Sequence, residues 1–545
     1  MHLLDILLSK IIRLTTEYML STDIKNKVQS LWDRLWAGGL ANPIEAIDQI
    51  SYLLFMKRLE SFKSDLEDKY KWSVYNKFND SELLNHVKNN VFNFIKNDLA
   101  SAEDPYAIAM NDAVFKFKSP ALLRDAMNYI NDIYSLIDDE IKNKNNHFQD
   151  IQGDVYEHLL LQTNEAGKNG QFRTPRHIIY LMANILDPDI DGKICDITSG
   201  SGGFLVGAYQ YILTKYSKKV TDDEDGLPRG IDGDNLDDTK TKHLKEQTFF
   251  GFDIDQTMIR IGVMNLMMHG IEKPNLVYTD SLSEDYENIE LSRKKGEKSD
   301  DIKNKSIQGL YKYILANPPF TGKVDSIRIS QNLDRVYPPQ FDKEGNRKNI
   351  TVQSELLFLE RIIYMLEEGG RAAVIVPEGV LFNSGKSHKA IRKLLLTDCA
   401  LEGVVSLPSG TFLPYTGVKT SILLFSKRKY RNKEDDLQSL NVWFYGMDSD
   451  GYSLDNARKR TIDFPLKDML NEWTNKNNKD QSNLELHHFE IPVEKIIEND
   501  FELNFNLYKE YVYVPQEFEK TESLLKQLKV LEKSISEQLK NLDNL

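Results

Sequence analysis

The stretch KICDITSGSGGFL (193–205) decides the architecture. It begins as a short apolar run, passes through Gly200, Gly202 and Gly203, and continues apolar at helical spacing. Glycines at a strand-to-helix junction let the backbone turn tightly and approach a ligand at the helix N-terminus. The pattern is not G-x-x-x-x-G-K-[ST], which argues against the phosphate cradle of a nucleoside triphosphatase. It is not G-x-G-x-x-G either, because Gly203, Phe204 and Leu205 follow Gly200-Ser-Gly202, so a dehydrogenase reading is weak.

Outward from this turn, short β-rich runs alternate with helical stretches. The candidate strands are 193–197, 249–254, 276–279, 311–316, 372–376, 401–407 and 420–425, with helices expected at 203–216, 256–269, 354–367 and 386–396. That alternation predicts a doubly wound, mostly parallel α/β sheet over 151–430. Ligands bind such sheets outside the carboxyl ends of the strands, so motifs at those ends carry the chemistry. Asp196 closes the first strand and Asp253, in GFDID, the second. A carboxylate there can accept hydrogen bonds from both ribose hydroxyls of a nucleoside, with Asp255 as the rival for that role. Asp280 follows the third strand. The fourth ends in Asn317-Pro318-Pro319-Phe320, the most specific signal in the chain. Two prolines stiffen the loop and remove two donors, so the Asn317 amide oxygen and the Pro318 carbonyl can hold an exocyclic NH₂. Phe320 offers a face on which a planar base can stack.

Upstream, residues 21–150 read as helical: PIEAIDQISYLLFMKRL (43–59) sets Ile47, Ile50, Leu53, Leu54 and Met56 at helical spacing, and 121–141 repeats the pattern. Residues 1–20 read as an amphipathic helix broken by Asp5, Lys10, Arg13 and Glu17, unlike a signal peptide. Residues 431–515 form a loop-rich C-terminal extension, and in 516–545 Leu524, Leu528, Leu531, Ile535, Leu539 and Leu542 make one apolar seam suited to packing on a partner or on the chain itself.

The order QFRTP, DITSGSGGFL, GFDID, TDSL and NPPF resembles the S-adenosylmethionine-dependent DNA adenine-N6 methyltransferases, and more narrowly the modification (M) subunit of type I restriction–modification systems. LWAGGLANPIEAIDQISYLLFMKRLE (35–60), SELLFLERIIYMLEEGGRAAVIVPEGVLF (354–382) and LPSGTFLPYTGVKTSILLFSK (407–427) extend the resemblance over most of the chain. One departure is Ile197, where the family usually has proline after the aspartate. The resemblance implies a seven-stranded methyltransferase sheet with a helical N-terminal domain and a C-terminal helical tail. It implies S-adenosyl-L-methionine as cofactor, held by Lys168, Asn169, Gly170, Gln171, Phe172, Arg173 and Thr174 at its methionine end. Asp196, Gly200, Ser201, Gly202 and Gly203 would line the turn, Asp253 would hold the ribose and Asp280 the adenine. Asn317, Pro318, Pro319 and Phe320 would serve catalysis on a flipped adenine of double-stranded DNA. The implied partners are a specificity (S) subunit, a second M subunit and a restriction (R) subunit. Methylation of a protein glutamine or an RNA amine, and a silent cofactor-binding scaffold, stand as alternatives.

Composition agrees without deciding. The 545 residues carry 69 Lys plus Arg against 83 Asp plus Glu, a formal charge of −14, which argues against wrapping nucleic acid by bulk charge. Residues 221–239 alone hold eight acids against Arg229, in an insertion after the first crossover helix. Basic residues cluster at 293–298, 386–393 and 427–433, where they can meet phosphate locally. No dense His/Cys group suggests a metal, and methyl transfer from a sulfonium needs none. Two cysteines and no apolar run near the ~20 residues of a membrane span point to a cytoplasmic protein.

Overall fold

Parallel strands need long crossovers, and the chain supplies them as helices that alternate with strands around one sheet. The computed structural model describes residues 21–63, 65–101, 104–144, 174–283, 308–429, 440–476 and 487–509, with Val155, Tyr156, His158, Leu159 and parts of 525–535. The expected helix at 1–20, the segment Lys168 to Arg173, the basic run 293–298, and Arg431 and Lys433 lie outside the described residues. The chain divides into one compact unit up to Phe505 and a second from Asn506 to Leu545.

In the first unit, α1 (Thr22–Ala37), α2 (Pro43–Phe62) and α3 (Pro120–Lys144) carry the N-terminal part. Ser21 caps α1 by accepting from the Ile24 N–H, and Asn42 caps α2 by accepting from Ile44 and Glu45. Pro43 sits at the start of α2, where its missing N–H costs nothing. Then follow α4 (Arg176–Leu186), α5 (Gly203–Lys215), α6 (Gln256–Met268), α7 (Ser354–Met365) and α8 (Lys386–Thr397).

The strands are β1 (Ile194–Asp196), β2 (Phe249–Asp253), β3 (Asn275–Tyr278), β4 (Tyr311–Ala316), β5 (Leu366–Pro377), β6 (Cys399–Ser406), β7 (Thr420–Lys427), β8 (Asn441–Gly446) and β9 (His488–Pro492). They form one sheet in the order β9-β8-β6-β7-β5-β4-β1-β2-β3. The run β3-β2-β1-β4-β5 is parallel, whereas β7 inserts antiparallel between β5 and β6. All seven expected strands are therefore present. The sheet does not close near 430, however: β8 pairs parallel with β6, and β9 antiparallel with β8. Trp443, Phe444 and Tyr445 are buried there, so the 431–515 stretch supplies core as well as loops. Cys195 and Cys399 are both buried and unpaired. Among the described residues no helix is long and apolar enough to cross a membrane.

The N-terminal helices are bonded to the sheet layer through α6. Arg260 of α6 holds Asp48 of α2 with two bonds, Nε to Oδ1 at 2.8 Å and Nη2 to Oδ2 at 3.2 Å, and the pair is buried. Tyr52 donates to the same carboxylate at 2.7 Å, and Arg58 donates to the Met268 carbonyl at the end of α6. A buried ion pair is costly to break because the surviving charge stays desolvated. Asp48→Ala is therefore expected to cost about 3 kcal/mol of stability, read as a lower unfolding midpoint with faster amide exchange in both α2 and α6. Asp48→Asn, which keeps one acceptor, is expected to lose less.

Candidate active site

The glycine turn is tied to the neighbouring strand end. Gly200 and Gly202 have φ of 48° and 80°, the left-handed region that a side chain would strain. The Gly200 N–H donates to Asp253 Oδ2 at 2.9 Å, and Ser199 N–H donates to the Phe252 carbonyl at 2.8 Å. Asn265 of α6 holds the turn from below, donating to the Ser201 carbonyl at 2.8 Å. Helix α5 then starts with no side-chain cap at Gly202, so its first-turn N–H groups and positive dipole end stay available to a ligand.

Two carboxylates meet at this turn. Asp196 is 1% exposed and accepts from the Thr198 N–H at 3.0 Å. Burial, with Asp253 adding its charge, pushes its pKa up to about 7. Burial also raises Asp253, although its oxygens accept from Gly200 and from Asp255 N–H. Neither has a bonded cationic partner among the described residues. Asp255 is otherwise employed: it caps α6, accepting from Thr257 and Met258. Asp280 lies at the rim, exposed, accepting from Leu282 N–H at 3.0 Å, while Ser281 beside it donates to the Ile197 carbonyl. Two apolar side chains escaped the sequence reading: Ile254 is 67% exposed and Tyr278 55% exposed, both at strand ends around Asp253. The signal was an isoleucine between two aspartates, where a loop would ordinarily be polar.

At the end of β4, Asn317 Nδ2 donates to Thr174 Oγ1 at 2.9 Å. This bond brings the last residue of the expected cofactor segment against the first residue of the NPPF loop. The Asn317 Oδ1 is buried and has no hydrogen-bond partner among the described residues. An unpaired buried carbonyl oxygen costs roughly 1–3 kcal/mol, a penalty that a donor on a ligand would relieve. Pro318 is buried and Pro319 exposed. Phe320 corrects an expectation: its ring is 3% exposed and stands edge-to-face on Phe412, 5.5 Å away at 88°. It is a packed ring here rather than an open platform, because the LPSGTF segment (407–412) comes up beside the NPPF loop.

The acid-rich insertion and the C-terminal extension support the site from behind. His177, at the start of α4, lies 3.2 Å from the fully buried Asp450, which also takes a bond from Arg458. Burial opposes the charge of Asp450, but His177 and Arg458 outweigh it and hold its carboxyl below the usual range. Tyr452 stacks on His177 at 4.4 Å and donates to Asp225 of the insertion, which Arg460 also meets at 3.4 Å. Asp222 pairs with Lys467. The insertion is thus a clamp on the extension. Of the basic residues expected to meet phosphate, four described ones are engaged within the protein. Arg392 donates to the carbonyls of Phe501, Val380 and Asn383, and Lys389 pairs with Asp500. Lys427 donates to the Leu366 carbonyl and Arg428 to that of Cys399.

The raised Asp196 sets a pH dependence. Unfolded, it ionises in the ordinary range near 3.8; folded, near 7. Between those values the unfolded chain binds fewer protons, so raising the pH destabilises the fold by up to about 1.4 kcal/mol per pH unit. Asp196→Asn, which keeps an oxygen for Thr198, is expected to unfold at higher temperature than the parent at pH 8. It should also show a shallower decline across pH 4–7 in thermal melts, the remainder coming from other raised carboxyls such as Asp253 and Glu360.

Comparison with known proteins agrees with this geometry. Residues 147–517 match the N-6 DNA methylase family, and residues 24–130 match the HsdM N-terminal domain. The chain is 29% identical over 443 residues to the EcoEI type I restriction enzyme methylase subunit of Escherichia coli, covering 77% of each chain. It is 27% identical over 439 residues to the StySJI methylase subunit of Salmonella typhimurium, covering 79% of this chain and 72% of that one. A solved type I methyltransferase subunit from Streptococcus thermophilus shares the fold, with a TM-score of 0.58 at 18% identity over 90% of this chain and 100% of that one. With a strand-end NPPF loop, a glycine turn bonded to an aspartate and a family match over most of its length, the chain belongs to the N-6 DNA methylase family, in the branch of the type I methylase subunits.

Proposed function

We propose that the chain transfers a methyl group from S-adenosyl-L-methionine to N6 of an adenine flipped out of double-stranded DNA, as the modification subunit of a type I restriction–modification complex. The observation that carries this reading is the buried Asn317 Oδ1, which lacks a donor while its Nδ2 is pinned on Thr174. The cofactor, when bound, supplies an electrophilic methyl on a sulfonium. The chain's residues fit its charge: the buried Asp196 and half-buried Asp253, each raised toward the neutral form, suit a ligand bearing an ammonium and a sulfonium. In this reading Ser201, Gly202 and Gly203 line the turn, with Gly200 bonded to the ribose-holding Asp253, and Ile254 and Tyr278 flank the adenine addressed by Asp280.

An exocyclic amine is a poor nucleophile because its lone pair is delocalised into the ring. Asn317 Oδ1 accepts one N–H and the Pro318 carbonyl the other, which orients the nitrogen and shifts electron density onto it. No base acts before attack, since the amine becomes acidic only as its new bond forms; the proton then leaves to solvent. Thr174 acts through Asn317, fixing the amide so that its oxygen and not its NH₂ faces the base. Phe320 can stack on the base only by leaving its contact with Phe412. Two buried, unpaired thiols suit the cytoplasm.

Partner binding is assigned to the tail: Leu525, Leu528, Val530, Leu531 and Ile535 are all more than half exposed, an apolar surface suited to the helices of a specificity subunit. A second modification subunit and a restriction subunit complete the assembly.

Asn317→Ala in the complex is expected to lower N6-methyladenine in DNA, measured by mass spectrometry, by about a hundredfold or more, with cofactor affinity unchanged. Methylation that survives this change, or methyl found only on protein or RNA, would overturn the reading. Deleting residues 516–545 is expected to abolish co-purification with the specificity subunit while the unit ending at Phe505 keeps its melting transition.

A further inference from the structure

Helix α7 is the crossover from β4 to β5, so its first turn lies at the same sheet edge as the NPPF loop. The contact there is close. The Ser354 N–H donates to the carbonyl of Gly322, five residues after Asn317, at 3.0 Å. A Cβ on Gly322 would lie 2.0 Å from Ser354 Oγ. On the other side, Gln353 N–H donates to Tyr337 Oη at 3.3 Å, and Tyr337 bonds Ser387 in the first turn of α8, which follows β5. The start of α7 therefore stands between the loops that follow two adjacent parallel strands, which is where such sheets hold a ligand.

Glu355 in this turn is 8% exposed, and its Oε2 is buried with no partner among the described residues. The neighbouring Ser354 Oγ is in the same condition, and α7 has no side-chain cap. Two unpaired buried polar atoms in consecutive residues of one helical turn call for partners that bond them. Among the described residues no basic group pairs with Glu355, and burial raises its proton affinity. A protonated carboxyl is a donor.

We infer that Glu355 is a base-specificity residue: its carboxyl donates a hydrogen bond to the acceptor ring nitrogen beside the adenine amine, N1 or N7, while Asn317 accepts from the amine itself. Adenine presents an amine next to a ring acceptor, as cytosine does on its smaller ring, whereas guanine and thymine present a carbonyl in the amine's place, which would face Asn317 Oδ1 without a donor; the contact therefore selects against those two bases. This inference rests on the methyltransferase reading above and deepens it.

The test uses the assembled enzyme and a duplex bearing its methylation site, with adenine, 1-deazaadenine or 7-deazaadenine at the target. The parent enzyme is expected to lose about tenfold in kcat/KM on one analogue. Glu355→Ala should lose about as much on adenine and show no further loss on that analogue. Glu355→Gln, which keeps an N–H donor, should recover both rate and analogue sensitivity. S-adenosylhomocysteine affinity, measured by calorimetry, should match the parent in both variants, which separates a role at the base from a loss of fold. Equal rates of parent and Glu355→Ala on adenine would overturn the inference. So would a parent indifferent to both analogues, or a Glu355→Ala enzyme that keeps the parent's sensitivity. A parent complex that leaves adenine unmethylated would overturn the methyltransferase reading, and this inference with it.

Discussion

The bond from the Gly200 amide to Asp253 Oδ2 couples two adjacent strand ends, and the rest of the site is built around it. The bond requires the backbone to turn at a positive φ, and a second positive φ at Gly202 delivers the chain into α5 with its first N–H groups uncapped. The same turn carries the Ser201 carbonyl to Asn265 of α6, while Asp255 one turn away caps that helix. Strand, turn and two helices are thus mutually determined by a few polar contacts. A Cβ at either glycine would strain all of them together, which is a stronger constraint than the loss of any single contact.

The consequence is electrostatic. Holding Asp253 on a backbone amide keeps its charge where it adds to the cost of ionising the buried Asp196, while burial and the charge of Asp255 raise Asp253 itself. Among the described residues no cation bonds either acid, and ionising them inside the fold costs stability. In the proposed reading, a ligand carrying both a sulfonium and an ammonium offsets that cost. The Asn317 oxygen follows the same logic with a neutral partner: it has no donor among the described residues, and in the proposed reading the amine of the target base supplies one.

Much of this was legible in the sequence, for identifiable reasons. Strands β1 and β2 are short apolar runs ending on aspartate, and β4 is one that runs straight into Asn317, so both the elements and their functional ends stand out in the sequence. The sequence shows β5 only over 372–376, because the strand enters the sheet through Glu367, Glu368, Gly369 and Gly370, which look like a turn. Strands β8 and β9 are hidden by the Asn, Asp and Lys clusters around them, which mask the VWFY run of β8. The Asp196 environment, the Thr174–Asn317 bond and the Phe320–Phe412 contact join residues 57, 143 and 92 positions apart. Separations of that kind leave no local pattern. Basic clusters are visible as adjacency in sequence, but adjacency does not say which members face solvent: Arg392 and Lys427 bond carbonyls of the protein itself.

Charge illustrates the limit of composition most clearly. Half of the formal −14 falls in residues 221–239, and a solvated loop is the ordinary reading of such a run. Instead Asp222 pairs with Lys467, Asp225 meets Arg460 and Tyr452, and Tyr452 stacks on His177, two residues from Pro175 and three from Thr174. The acids hold the C-terminal extension against the start of α4, and through it steady the threonine that orients the Asn317 amide. Net negative charge therefore does not oppose a nucleic-acid substrate here. Net charge does not say where the acids sit, and two of those in this run are spent on ion pairs with Arg460 and Lys467, behind the side chain whose orientation the proposed chemistry requires.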